Sequence, residues 1–214
     1  MAHIIETPVY RADELDGTAR ENARDWYRRT AFDDDWYAFI FADFERICEM
    51  LGITLRTHRV RLHGGGTRSD PNIYFSGFSS QGDGACYEGT YRYAKASPRR
   101  IRDHAPEDTG LHRIADQLAA VQRRNFYQLT ATFRQTGRYT HEYSMLIGVG
   151  RDAPSGQDLS LADEDSVIEA LRDLARWLYR QLEAEHDYQS SEAVVDEALR
   201  EGGFTFTEDG RRFG

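Results

Sequence analysis

One stretch of the chain concentrates side chains that could bind a ligand or take part in a reaction. Residues 73–89, here called the polar hairpin, contain four glycines and three serines together with Gln, Asp, Cys, Glu and several aromatic residues. Glycines let other atoms approach the backbone, and the free amides of a tight turn can hold an anion. We therefore predict a small polar ligand site whose candidate residues are Ser76, Ser79, Ser80, Gln81, Asp83, Cys86 and Glu88.

The polar hairpin also has a purely structural interpretation, because Gly, Asp and Ser are the residues that tight turns need. It lacks both the Gly-Lys-Ser/Thr of a phosphate-binding loop and the glycine spacing of a dinucleotide site. Catalysis here would require a His close to Cys86, or an acid–base pair made by Asp83 and Glu88, and no spacing in the chain demands either arrangement. We predict no catalytic residue, and an enzyme or nucleotide-binding protein built on this hairpin is the alternative function.

The histidines and cysteines do not form a metal-binding pattern. The chain has seven His and two Cys, with neither His-Glu-x-x-His nor Cys-x-x-Cys, so we expect no metal and no cofactor. Two cysteines are too few for a disulfide framework, which indicates a reducing, cytoplasmic setting. No apolar run approaches the ~18 residues of a membrane-spanning helix, and the N-terminus does not resemble a secretory signal, so no membrane partner is expected.

Charge is distributed unevenly along the chain. Residues 51–150 carry a net charge of +6, between ends of −6 (1–50) and −9 (151–214). A basic segment with many tyrosines is typical of single-strand binders, but the whole chain is acidic and has no nucleic-acid motif, so direct nucleic-acid binding is the weaker alternative. The acidic C-terminal helix instead suits a basic partner protein. The candidate partner-binding residues are Asp165, Glu169 and Asp173.

Hydrophobic periodicity predicts the elements that position these residues. Apolar residues at helical spacing predict helices over 13–29, 33–51, 111–124 and 161–200, the last with a break near 190–191. Alternating patterns bounded by turn residues predict strands over 53–62, 72–79, 85–93, 126–134, 139–149 and 204–206. Residues 98–106 are predicted to be a polar connection, and 150–156 a loop.

Strands joined by short connections and flanked by helices at both ends predict an α+β fold. We expect a mostly antiparallel sheet of about five or six strands, with the N-terminal and C-terminal helices packed on it. The predicted organisation is a single domain over 1–214: helical at 10–52, β-rich with one inserted helix at 53–149, helical at 161–201, and a short strand and tail at 202–214.

Three segments of the chain together resemble a known protein family. They are the hairpin sequence from Tyr74 to Ala85, the pattern Ala23-x-x-Trp26-Tyr27, and the tail Phe204-Thr-Phe-Thr-Glu-Asp-Gly. The family is carried by phages, prophages and plasmids, and its members are often labelled "antitoxin of toxin–antitoxin stability system". The resemblance covers about residues 10–212. It implies a mobile-element protein in the host cytoplasm that acts by binding a host or toxin protein, as an antitoxin or an inhibitor of host defence.

Overall fold

The computed structural model describes residues 6–152 and 159–214, and it confirms the predicted α+β class. The helices are α1 (Gly17–Thr30), α2 (Ala38–Leu51), α3 (Ser97–His104), α4 (Thr109–Arg124), α5 (Leu161–Gln189) and α6 (Glu192–Glu201). The strands are β1 (Tyr10–Arg11), β2 (Ile53–Leu55), β3 (Thr57–Arg61), β4 (Thr67–Pro71), β5 (Ile73–Phe75), β6 (Ala85–Tyr87), β7 (Gly89–Arg92), β8 (Leu129–Gln135), β9 (Met145–Arg151) and β10 (Thr205–Phe206). No helix within the described ranges has the length and apolar content that crossing a bilayer needs.

The chain divides into two compact units, one formed by Met1–Tyr37 with Glu183–Gly214 and the other by Ala38–Leu182. We call the first the terminal unit and the second the central unit. The sequence predicted one domain over 1–214, and that prediction stays untested. The predicted loop at 150–156 lies partly outside the described residues.

The central unit is built on a four-stranded antiparallel sheet in the order β2-β7-β8-β9. Side chains alternate between its faces, as the pleat of a strand requires. One face is buried: Phe133 of β8 packs on Tyr87 of β6 with ring centroids 5.1 Å apart. Tyr87 in turn contacts two helices, because its ring lies 5.1 Å from that of Phe44 on α2 and its hydroxyl donates a hydrogen bond to the Leu171 carbonyl of α5 at 2.9 Å. From α4, the side chain of the buried Gln122 donates a hydrogen bond to the Leu129 carbonyl of β8 at 2.8 Å. Among the described residues, no such layer of apolar side chains covers the opposite face of the sheet.

Three passages of the chain meet at Arg56, Asn72 and Glu88, which we call the strand junction. Each of these residues is the single position between two strands: β2 and β3, β4 and β5, β6 and β7. The N–H of Asn72 donates to the Arg56 carbonyl (2.7 Å), that of Glu88 to Asn72 (2.9 Å) and that of Arg56 to Glu88 (2.8 Å). This closed cycle lets three two-stranded pairings, β2–β7, β3–β4 and β5–β6, diverge from one point.

Side chains complete the strand junction. Asn72 is only 6% exposed, and its amide donates to the Glu88 carboxylate at 2.6 Å while its oxygen lies 2.9 Å from Nδ1 of His58. The other oxygen of Glu88 accepts from the N–H of Gln135 on β8 at 3.1 Å. Buried polar groups need such partners, so these side chains tie the β3–β4 ribbon to the central sheet.

Several predicted elements differ from those observed. The predicted strand 53–62 is divided at Arg56, and its second half pairs with β4, for which the polar sequence gave no alternating signal. The predicted polar connection at 98–106 is wrong, because α3 occupies Ser97–His104. Pro98 suits a helix start, but Ile101 is the only fully buried apolar residue of that helix, so no apolar stripe appears in the sequence.

The terminal unit has its own small core. Strands β1 and β10 pair antiparallel, and Phe206 and Trp26 pack edge to face with ring centroids 5.7 Å apart. Asp196 of α6 accepts two hydrogen bonds from the guanidinium of Arg24 on α1, both at 2.8 Å, and one from Arg20 at 2.7 Å. The buried members of this core are Ala12, Leu15, Ala23, Val195, Leu199 and Phe206.

The strand junction yields a stability prediction. Asn72→Ala removes the hydrogen bonds to Glu88 and His58 and leaves part of the Glu88 carboxylate without a partner, which should lower the free energy of unfolding by about 3 kcal/mol. Urea denaturation followed by circular dichroism measures this loss. The exposed Asn22→Ala, which removes one hydrogen bond to the Asp209 carbonyl, is the control and should cost less than about 1 kcal/mol. Equal losses in the two variants would contradict the role given to Asn72.

The Arg24–Asp196 pair yields a pH prediction. Hydrogen bonding to Arg24 holds the pKa of Asp196 at about 2, below its ordinary value of 3.8. The stabilisation is therefore complete above about pH 4 and is lost as the pH falls through about 2, and it amounts to about 2 kcal/mol. Asp196→Asn should show this deficit at neutral pH and almost none near pH 2 when urea unfolding is compared with the wild type. A deficit that is the same at both pH values would contradict the assignment.

Candidate functional site

The polar hairpin is closed by Asp83. Its carboxylate accepts hydrogen bonds from the backbone N–H of Ser80 at 2.7 Å and of Ser79 at 3.0 Å, and its own N–H donates to the Ser80 carbonyl. The Ser80 bond is the largest of the interactions that hold the pKa of Asp83 below 3.8. The backbone N–H groups of Ser79 and Ser80, which could have bound an anionic ligand, thus already donate to the carboxylate of the hairpin itself.

Ser76 also serves the hairpin itself. Its hydroxyl accepts from the N–H of Gly84 at 3.1 Å and donates to the Thr140 carbonyl at 3.3 Å. Its backbone N–H donates to the Gly84 carbonyl at 3.0 Å, which continues the pairing of β5 with β6. The side chains of Ser79, Ser80 and Gln81 are left exposed at the tip.

Cys86 and Glu88 lie away from this tip. Cys86 is buried, and that burial raises the pKa of its thiol to about 11, so the thiol is protonated at neutral pH and is a poor nucleophile. Glu88 is held in the strand junction by Asn72 and Gln135. The structure therefore does not bring the seven predicted residues into one cluster. Within the described part of the chain, no three His, Cys, Asp or Glu side chains lie where they could share a metal ion.

The acidic face predicted on α5 is largely neutralised by arginines of the same helix. Glu169 lies 2.8 Å from Arg172 and 3.6 Å from Arg176, and Asp173 lies 2.7 Å from Arg176. Asp165 is exposed. These pairs cancel charge locally at Glu169 and Asp173, whereas α5 as a whole carries eight acidic residues and three arginines.

The uncovered side of the central sheet forms a surface that the sequence did not predict, and we call it the open sheet face. Its register aligns Thr54, Thr90, Thr132 and Gly148 in one row across all four strands. Small side chains along this row make the floor of a trough with a volume of about 670 Å³. The strand positions on this face, with the adjoining Arg56, are Thr54, Arg56, Thr90, Arg92, Thr130, Thr132, Arg134, Leu146, Gly148 and Gly150.

The open sheet face is basic. Arg56, Arg92 and Arg134 are exposed on it, and none of its ten positions is acidic. The carboxylate of Glu88 borders this face, but it accepts hydrogen bonds from Asn72 and Gln135 and lies 3.8 Å from Arg56. Arg56 thus forms a long ion pair with Glu88, and the guanidinium groups of Arg92 and Arg134 are exposed to carboxylates or phosphates of a ligand.

Two glycines of the open sheet face are not required by the fold. A Cβ added to Gly148 would meet nothing closer than the Thr132 hydroxyl at 3.8 Å, and one added to Gly150 nothing closer than the Thr130 hydroxyl at 3.7 Å. Gly89 on β7 is the opposite case, since a Cβ there would collide with the Thr54 carbonyl oxygen. A strand glycine with room for a side chain often marks a place where another backbone or a ligand approaches closely.

These features define an α+β protein with one helix-covered and one open, arginine-lined sheet face. The chain belongs to the family described as Domain of unknown function (DUF8835), whose profile matches residues 36–192. No curated protein and no solved structure matches the chain. The matched segment contains the whole central sheet, including the strand junction and the trough.

The glycines of the sheet provide a matched comparison. Gly148→Ala and Gly150→Ala should leave the free energy of unfolding unchanged or raise it by up to about 1 kcal/mol, because the added methyl group restricts the unfolded chain and meets no obstacle. Gly89→Ala should lower it by about 1–3 kcal/mol, because the strands must separate to admit the methyl group. Urea denaturation of the three variants tests this. A loss at Gly148 equal to that at Gly89 would show that the trough floor is a packing requirement.

Proposed function

We propose that this protein acts by binding a partner protein in the cytoplasm and that the open sheet face is its binding surface. The observation that carries the proposal is the combination of three exposed arginines, Arg56, Arg92 and Arg134, with a trough floored by small residues. The resemblance to a phage- and plasmid-borne family supports a host or toxin protein as the partner, with the chain acting as an antitoxin or an inhibitor of host defence.

The chemistry of the open sheet face specifies the kind of segment it would bind. Guanidinium groups pair bidentately with carboxylates, so an acidic segment of the partner fits a face that carries Arg56, Arg92 and Arg134. The small floor residues allow that segment's backbone to approach the sheet, and Leu146, which is 54% exposed, offers an apolar contact beside Arg134. Opposite charges at such a surface raise the association rate, which should fall as salt is added.

Catalysis at the polar hairpin has less support than binding. Asp83 and Ser76 are engaged in the turn, and the Cys86 thiol is protonated at neutral pH. The predicted acidic partner site on α5 also has less support, because Glu169 and Asp173 pair with arginines. These contacts support a basic recognition surface over the predicted acidic one.

Affinity capture from host lysate tests the proposal when three forms of the protein are compared. The face variant carries Arg56→Gln, Arg92→Gln and Arg134→Gln. The control carries Arg59→Gln, Arg61→Gln and Arg99→Gln, three exposed positions away from the face, so both have the same net charge. A partner protein should be retained by the wild type and the control, and bound roughly tenfold or more weakly by the face variant. Equal retention by all three forms would remove the open sheet face from the interaction.

Single-stranded nucleic acid is the second candidate ligand, and one observation at the ends of the sheet strands favours it. At the ends of β7 and β8, Phe126 is 70% exposed beneath the guanidinium of Arg151, and the exposed rings of Tyr93 and Tyr127 lie 4.4 Å apart. Exposed aromatic rings beside arginines are the usual platform for unpaired bases. Nuclease treatment of the captured material distinguishes the two, because a protein partner survives it and a nucleic-acid ligand does not.

A further inference from the structure

Strand β9 forms one edge of the central sheet. It is seven residues long, Met-Leu-Ile-Gly-Val-Gly-Arg, and it carries a charge only at its last residue, Arg151. It pairs with β8 residue for residue from Met145 to Arg151 without a bulge, so the edge is regular. Natural proteins usually protect such edges with charges, prolines or bulges, because the outer row of N–H and C=O groups can pair with another strand.

The two edges of the sheet differ. The opposite edge, β2, has only three residues, Ile53–Leu55, and is followed directly by the charged Arg56. Among residues 6–152 and 159–214, no strand pairs with the outer side of β9. Leu146 on this strand is 54% exposed. Strand β9 is thus the longer and more apolar of the two edge strands, and its outer backbone groups can pair with a further strand.

We propose that β9 pairs with the β9 strand of a second copy of this chain, antiparallel about a two-fold axis at Gly148. The pairing would join two four-stranded sheets into one sheet of eight strands. A two-fold interface uses the same residues from both copies, so the strand must be complementary to itself.

The sequence of β9 meets this requirement. With the axis at Gly148, Ile147 lies opposite the partner subunit's Val149, which is a favourable pair of β-branched side chains. On the open side of the sheet, Leu146 lies opposite the partner subunit's Gly150, so a large side chain meets a position without one. Met145 lies opposite the partner subunit's Arg151, and no two like charges face each other.

Gly148 is the position at which this pairing can be tested. The fold leaves room for a side chain there, since the nearest atom to an added Cβ is 3.8 Å away. In the paired arrangement the residue lies opposite its own symmetry mate, so a charge introduced at this position meets its own copy across the axis. Leu146 and Gly148 also line the trough, so this pairing would make the open sheet faces of the two copies continuous, and sedimentation measures dimerisation separately from partner binding.

Charge complementation at Gly148 tests the proposal. Gly148→Lys and Gly148→Glu each place like charges opposite one another across the axis, and each should weaken dimerisation roughly tenfold relative to wild type in sedimentation velocity measurements. An equimolar mixture of the two variants places Lys opposite Glu and should restore the dimer. Thr54→Lys and Thr54→Glu, in the same row of the face but on the other edge strand, should dimerise like wild type.

Circular dichroism establishes that each variant is folded, and Gly148→Arg with Gly148→Asp forms a second pair if either of the first two fails to fold. A wild-type protein that stays monomeric throughout the micromolar range would overturn the proposal. So would dimers that neither variant weakens, because the interface would then lie elsewhere. A mixture that stays monomeric when both single variants are monomeric would also overturn it, because the axis would not pass through Gly148.

Discussion

The β-rich part of this protein depends on the point where three passages of its chain meet. Arg56, Asn72 and Glu88 exchange backbone hydrogen bonds in a closed cycle of 2.7, 2.9 and 2.8 Å. Because each residue lies between two strands, each passage changes its pairing partner at that point. The buried Asn72 amide donates a hydrogen bond to the Glu88 carboxylate there. A polar network therefore holds together the three strand pairings that diverge from this point.

The same junction determines which surface is left for recognition. It directs β2 and β7 into the central sheet, where the alternation of the strands sends apolar residues toward the helices and Thr, Arg and Gly toward solvent. It also places Arg56 at the rim of the trough, 3.8 Å from a carboxylate that is already satisfied by Asn72 and Gln135. A basic, open face is therefore a direct consequence of how the strands are joined.

Most of the residues whose types suggested a ligand site or a reaction in the sequence make hydrogen bonds that stabilise the fold. Asp83 and Ser76 supply the hydrogen bonds of a tight hairpin, and Glu88 supplies those of the strand junction. The surface with the geometry of a binding site is instead made of threonines, glycines and arginines, residue types that are unremarkable one at a time. Polar residues near glycines are needed by turns as often as by ligands, and only their hydrogen-bond partners distinguish the two uses.

Local periodicity in the sequence determined the α+β class, the helix that ends at Leu51, the helix predicted over 111–124 and the break between α5 and α6 at Ser190–Ser191. These features depend on residues a few positions apart, which is why the sequence alone was sufficient for them. Only the tertiary structure decided the alignment of Thr54, Thr90, Thr132 and Gly148, because strand register joins residues far apart in the chain. It also decided the formation of α3 around the single buried Ile101 and the hydrogen bond between Asn72 and Glu88, which lie 16 residues apart. Which distant neighbour a side chain meets is a property of the folded chain and not of its local pattern.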